Sequence, residues 1–160
     1  LVNTPLLRLN NIDKHLNLNV GLYAKEEYFN PTGSVKDRIA LSMIETAEKQ
    51  GKLRPNSVVI EPTSGNTGVG LASVCAAKGY KCILVMPETM SKERVKLMNA
   101  YGAEVVLSSG KLGMKGSVDK AEELAKQYED SFIPSQFENP SNPEIHFRTS
   151  PPRLIVHKPT

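Results

Sequence analysis

The sequence predicts an α/β fold, a parallel sheet flanked by helices, and three observations carry that expectation. Short apolar runs alternate with stretches whose apolar residues recur at helical spacing. One run, KCILVM at 81–86, is apolar from Cys82 onward, as a parallel strand covered on both faces is. Glycines 51, 79 and 102 stand where the helical patterns stop, the place where a residue without a Cβ ends a helix. The chain has 160 residues, 39% hydrophobic and 23% charged, with 11 Gly and 11 Pro; that is one ordinary globular domain and too little for two.

In chain order, NVGLY at 19–23 has strand character. A helix is expected over 35–50, with Val35, Ile39, Met43, Ile44 and Ala47 on its apolar stripe. Ser34 is its expected N-cap, with Asp37 as the capping-box partner three residues on, and Gly51 ends it. SVVI at 57–60 reads as a strand, and a small-residue helix over 67–78 follows it, closed by Gly79. After the strand at 81–86, Ser91 caps a helix that runs to residue 101. Residues 104–107 form the next strand. A helix over 117–128 carries Val118, Ala121, Leu124, Ala125 and Tyr128 on one side, its charged residues on a solvated face. In the tail, 150–160, three prolines crowd eleven residues and no helix or strand pattern continues.

Lys+Arg 20 against Asp+Glu 17 leaves +3, dispersed along the chain, so neither nucleic acid nor a membrane surface is an expected partner. No apolar run approaches the roughly 20 residues of a spanning helix, and no leader pattern is visible at the start. Cys75 and Cys82 have no metal-ligand spacing; they read as small buried hydrophobes in a reducing, cytoplasmic setting, with no metal expected. Met86, Met90 and Met98 read as packing, and His15 and His157 as surface residues. The chain starts at Leu1, which reads as a processed product or a piece of something larger.

Ligands of open parallel sheets bind beyond the carboxyl ends of the strands, and two strand-to-helix junctions are chemically loaded. NPTGSVKDR at 30–38 puts Lys36 at a helix start, where the partial positive charge of the N-terminus disfavours an ammonium. An amine so placed suits imine formation or proton abstraction; a solvated first-turn lysine fits the same residues. EPTSGNTG at 61–68 combines short donors with glycines that let backbone N–H groups approach an anion. An ordinary well-capped turn fits there too. A dinucleotide turn fits less well, since the glycines read G-x-x-G-x-G, although Glu88 ends the next strand where a ribose-binding acid would stand.

Together with NTPL at 3–6 and MPETMS at 86–91, these two segments resemble the cysteine synthase (O-acetylserine sulfhydrylase) family, pyridoxal-phosphate enzymes of the tryptophan-synthase-β-like fold. The likeness runs without a gap from Asn3 to Thr149; the related cystathionine β-synthases share most of it, while GMKG at 113–116 and QFENP at 136–140 lean toward cysteine synthase. The resemblance implies pyridoxal 5'-phosphate as cofactor. It makes Lys36 the lysine that bonds to the cofactor aldehyde and later removes the substrate α-proton, and Asn66 the residue bonding the 3′-oxygen of the ring. Thr63, Ser64, Thr67 and Gln136 are then the groups around the substrate α-carboxylate; His146 matches a family histidine to which no catalytic role is given. The implied reaction is β-replacement, O-acetylserine and sulfide giving cysteine, with a homodimer and a serine acetyltransferase as implied partners.

The resemblance also divides the chain. Residues 1–34 form a segment that in the family pairs with a second domain, residues 35–149 form the small α/β domain with the lysine and substrate loop, and 150–160 diverge. The departure after His146 is the pattern left by a frameshift near Thr149 or by a gene-model error. The family's glycine-rich phosphate loop and its partner for the pyridine nitrogen lie beyond that point, so the N-terminal domain is expected to be truncated and inactive as it stands. Its early strands are expected to have no sheet to join. Two other readings stand beside this one: a cystathionine β-synthase-type lyase fragment, and a non-catalytic anion- or dinucleotide-binding fragment.

Overall fold

Four apolar runs build one parallel sheet in the computed structural model, which describes residues 3–156. Its strands are β3 (Val58–Pro62), β4 (Lys81–Pro87), β5 (Glu104–Ser108) and β6 (Ser131–Phe132), in the order β5-β4-β3-β6. Val59 pairs with Cys82 on one side of β3 and with Phe132 on the other, and Leu84 with Val105, all in parallel register. Two shorter strands, β1 (Leu6–Arg8) and β2 (Tyr23–Lys25), form a separate antiparallel pair enclosing α1 (Asn10–His15). The helices of the main body are α2 (Lys36–Lys49), α3 (Asn66–Lys78), α4 (Lys92–Ala100), α5 (Gly113–Ala125) and α6 (Ser141–Val156).

The period of the strands splits the core in two. Val59, Cys82, Leu84 and Met86 face one side, under Leu71, Ala72 and Cys75 of α3, Met98 of α4 and the buried stripe Ile39, Ala40, Met43, Ile44 and Ala47 of α2. Val58, Ile60, Ile83 and Val85 face the other, against Ala121 of α5. Strands buried on both faces are why 82–86 reads as continuously apolar. Cys75 and Cys82 are both buried free thiols, as expected, and His15 is exposed. Gly51, Gly79 and Gly102 all take positive φ (68°, 79° and 84°), the conformation that lets each helix end. Among the described residues, no helix is long and apolar enough to cross a membrane.

Several local expectations are corrected. Ser34 does accept a hydrogen bond from the Lys36 backbone N–H (3.1 Å), but Asp37 completes no capping box. Its carboxylate instead accepts the Thr32 backbone N–H (2.7 Å) and the Thr32 hydroxyl, closing the loop before α2. The strand expected at 19–23 is shifted to Tyr23–Lys25, where pairing with β1 satisfies its backbone. The helix expected at 117–128 is α5, which starts at Gly113 and ends at Ala125. The proline-rich tail does not break at residue 150: α6 runs to Val156 with Pro151 and Pro152 inside it. Both prolines are exposed, so water reaches the carbonyls that lose an N–H partner, and the helix is already seated on α2 through the Ser42 hydroxyl, which donates to the Ser141 carbonyl (3.1 Å). His157 and the rest of the tail, 157–160, lie outside the described residues.

The segment before α2 is held by one buried cation. Arg38, with no exposed surface, donates from Nε to Glu27 Oε2 (2.8 Å) and from Nη2 to Glu27 Oε1 (2.9 Å) and Thr4 Oγ1 (3.1 Å). Glu27 also accepts from the Thr4 hydroxyl (2.7 Å) and Asn30 Nδ2 (2.8 Å). Burial alone would raise the Glu27 pKa; these bonds and the Arg38 charge overcome it and bring it down to about 2. Leu7, Ile12, Leu16, Val20, Tyr28 and Phe29 of the same segment remain exposed.

Candidate active site

The chain runs outward from β3 to β4 and β5, then returns to place β6 on the free side of β3. The carboxyl ends of β3 and β6 therefore open side by side, at the point where strand order reverses. The turn after β3 holds Thr63, Ser64, Asn66 and Thr67; the loop after β6 holds Gln136. Thr67 Oγ1 donates to Gln136 Oε1 (2.7 Å), joining residues 69 positions apart. That bond uses one lone pair of the amide oxygen, and among the described residues the Gln136 NH₂ has no acceptor.

Thr63 works inward. Buried to 1% exposure, its hydroxyl oxygen accepts the backbone N–H groups of Gly68 (3.1 Å) and Gly65 (3.3 Å) and so serves the first turn of α3 from ahead of the helix. A Cβ on Gly68 would come within 2.6 Å of Thr63 Cγ2 and 2.9 Å of Met98 Cε, so only glycine lets the turn close. Ser64 and Asn66 are exposed at the rim. As the first residues of α3, Asn66 and Thr67 present backbone N–H groups that have no intrahelical acceptor.

Lys36, half-buried, is the first residue of α2. Gly70 brings the two helix starts together: a Cβ there would sit 3.2 Å from the Lys36 carbonyl oxygen and 3.1 Å from Ala40 Cβ. Among the described residues, Lys36 Nζ makes no hydrogen bond or ion pair. His146 of α6 is half-buried; burial first, then the Lys36 and Arg38 charges, hold its imidazole pKa below the ordinary value. The exposed Glu88 carboxylate accepts the Gly110 N–H at Oε1 (3.0 Å).

Two neighbours of this turn carry no role in the sequence reading. Arg94 Nη1 donates to the Ser64 carbonyl (3.0 Å), and its guanidinium lies where a Cβ on Gly65 would be 3.1 Å away. Glu61, 1% exposed, accepts the backbone N–H of Ser135 at Oε2 (2.8 Å) and of Gln136 at Oε1 (2.9 Å). Burial drives the Glu61 pKa up to about 7, against the pull of those two bonds. Its protonated form thus favours the fold, a contribution present below pH 4.5 and lost as pH rises through about 7. An acid ending an otherwise apolar central run was the available signal, because carboxylates are seldom fully buried.

An unpaired amine, an exposed carboxamide and a cluster of anion donors at two helix starts form a donor set that fits an aldehyde cofactor beside a carboxylate ligand. Residues 1–152 match the family of pyridoxal-phosphate dependent enzymes. The chain belongs to that family.

Its relatives among these pyridoxal-phosphate dependent enzymes include a cysteine synthase of Staphylococcus aureus, 57% identical over 95% of this chain and 48% of the relative. A probable cysteine synthase of Bacillus subtilis is 57% identical over 94% of this chain and 48% of its own length. The solved cysteine synthase of Entamoeba histolytica superposes with a TM-score of 0.90 at 38% identity, covering 98% of this chain and 47% of the other. An O-acetylserine dependent cystathionine beta-synthase from Helicobacter pylori superposes with a TM-score of 0.89 at 41% identity, covering 97% and 51%. The chain thus spans about half the length of the curated relatives it matches. The fold is that of a pyridoxal-phosphate enzyme, and the cofactor of the family is pyridoxal phosphate.

Proposed function

We infer that this chain is the lysine-bearing half of a cysteine synthase that converts O-acetylserine and sulfide to cysteine and acetate. The observation that carries the reading is the close approach of α3 to the first turn of α2 at Gly70, which packs the helix that begins with Lys36 against the helix whose first turn offers the anion donors. Bound pyridoxal phosphate would supply an electron-withdrawing ring that stabilises negative charge at the substrate α-carbon. Lys36 would hold the cofactor through its amine and Asn66 through the ring oxygen. The Lys36 amine would also serve as the base for the substrate α-proton. The NH₂ of Gln136, the Ser64 hydroxyl and the first-turn N–H groups of α3 hold the substrate carboxylate, while Thr63 shapes the turn and Thr67 orients Gln136. Two buried free thiols fit a reducing compartment, and we place the chain in the cytoplasm.

The test uses a chimera in which this chain is continued by the second half of the Bacillus subtilis relative. Cysteine is expected to form from O-acetylserine only when sulfide is present. The 160-residue chain alone is expected to show no turnover, because it covers half of its relatives and leaves the apolar surface around β1, α1 and β2 open. Turnover by the chain alone above a Lys36→Ala control would refute that part. The likeness to the Helicobacter pylori enzyme favours a second reading, a cystathionine β-synthase type; faster reaction with homocysteine than with sulfide would select it.

Thr67→Ala in the chimera removes the bond that orients Gln136. A hydrogen bond to a charged group is worth about 1.5–3 kcal/mol, so amino-acid affinity is expected to fall roughly ten- to a hundredfold with cofactor affinity unchanged. A spectral titration with O-acetylserine measures it. Equal affinity in both proteins would take the carboxylate away from this cradle.

A further inference from the structure

Glu61 is a carboxylate in a central strand with no ion pair among the described residues. Its two oxygens instead fill the concavity made by consecutive backbone N–H groups, those of Ser135 and Gln136. Such a concavity requires a left-handed residue, and Ser135 supplies it at φ 53°. A serine held there is strained, and the strain persists only while something over-determines it. The rest of Gln136 is equally fixed: its carbonyl accepts from Asn142 Nδ2 (2.8 Å) and its side chain accepts from Thr67.

We propose that Glu61 is the positioning residue of the carboxylate cradle: by gripping the Ser135 and Gln136 amides it holds the loop after β6 in the one backbone conformation that presents the Gln136 side chain to Thr67. The claim about what Gln136 then holds rests on the function proposed above; the grip itself does not. The ionised carboxyl accepts these two N–H groups more strongly than the protonated one, whose hydroxyl oxygen is the poorer acceptor. Burial places that change near pH 7. The titratable groups facing Glu61 from the packed elements are Cys82 of β4, with Cys75 of α3 behind it, and Glu122 of α5 and Glu138 of the same loop, which line a shared cavity with Val118 and Ile133.

Hydrogen exchange read by mass spectrometry on the 160-residue chain tests this at low concentration. Glu61→Gln keeps the shape but turns an NH₂ toward one of the two donors. The Ser135 and Gln136 amides are expected to exchange roughly ten- to a hundredfold faster, with β3 and β4 unchanged. In the unmodified chain, protection of those two amides, corrected for intrinsic rates, is expected to fall as pH drops through about 7, and Glu61→Gln is expected to abolish that step. Equal protection in both proteins, or a step that survives the substitution, overturns the proposal. If Glu61→Gln does not fold, the unmodified profile decides, and a flat one between about pH 6 and 8 overturns it. Failure of the function proposed above would appear elsewhere, as an unchanged O-acetylserine titration in Thr67→Ala, with the exchange result intact.

Discussion

Lys36→Ala in the chimera is expected to abolish cysteine formation. A positioned general base contributes about 10²–10⁴-fold, and here the same amine also anchors the cofactor, so the loss is at least of that order. The residue starts α2, and no described acceptor or carboxylate engages its Nζ. Borohydride reduction of the unsubstituted chimera followed by peptide mapping is expected to leave the pyridoxyl group on Lys36. Label on Lys25 or Lys78 instead, or full activity in Lys36→Ala, would remove the lysine from its assigned role. Lys78 has a reason to stay unlabelled, because its amine is paired with Glu48 Oε2 at 2.9 Å.

Arg38→Ala is expected to produce the largest loss of stability. Removing one member of a buried ion pair costs about 3–5 kcal/mol, since Glu27 would keep its desolvation and lose its partner. For a chain of this size that corresponds to a fall in Tm of roughly 6–20 °C. The pH dependence distinguishes this from simple loss of packing. With its folded pKa down at about 2 against an ordinary 4.5, Glu27 contributes stability that is fully present above pH 4.5 and lost as pH falls toward 2. Without Arg38, burial pushes the same carboxyl upward, so acid no longer removes a contribution there. Urea midpoints at pH 7 and pH 3 are expected to differ between the two proteins by less at the lower pH. A constant gap would show that Arg38 acts by packing alone.

The two predictions concern neighbouring residues of one helix that differ in how far they were legible. Lys36 stood out locally, as a lysine at a helix start where the backbone disfavours its charge. Arg38 did not, because its partners Thr4 and Glu27 lie 34 and 11 residues away. The turn after β3 shows the same division. Its helix-starting and anion-binding character is visible in EPTSGNTG, but the inward use of the Thr63 hydroxyl depends on Gly68 and Met98 closing over it. Gln136 entered the sequence reading only through resemblance, since β6, the strand that delivers it, is two residues long and has no period to detect. The same is true of α6, where the prolines argued for an end and packing on α2 carried the helix past them.

By itself, then, the sequence determined what depends on near neighbours along the chain: the periodicity that buries Ile39, Met43 and Ile44, the glycines that end α2, α3 and α4, the capping Ser91, and the places of Lys36 and of the turn at 63–67 at two helix starts. Backbone preference and burial period act over a few residues, so they leave a local record. Only the tertiary structure decided that β6 returns to the open side of β3, bringing Gln136 to Thr67 and the Ser135 and Gln136 amides to Glu61. Strand order is a property of the whole sheet: it is set by which faces remain to be buried once every element competes for the same core, and no single segment records that outcome.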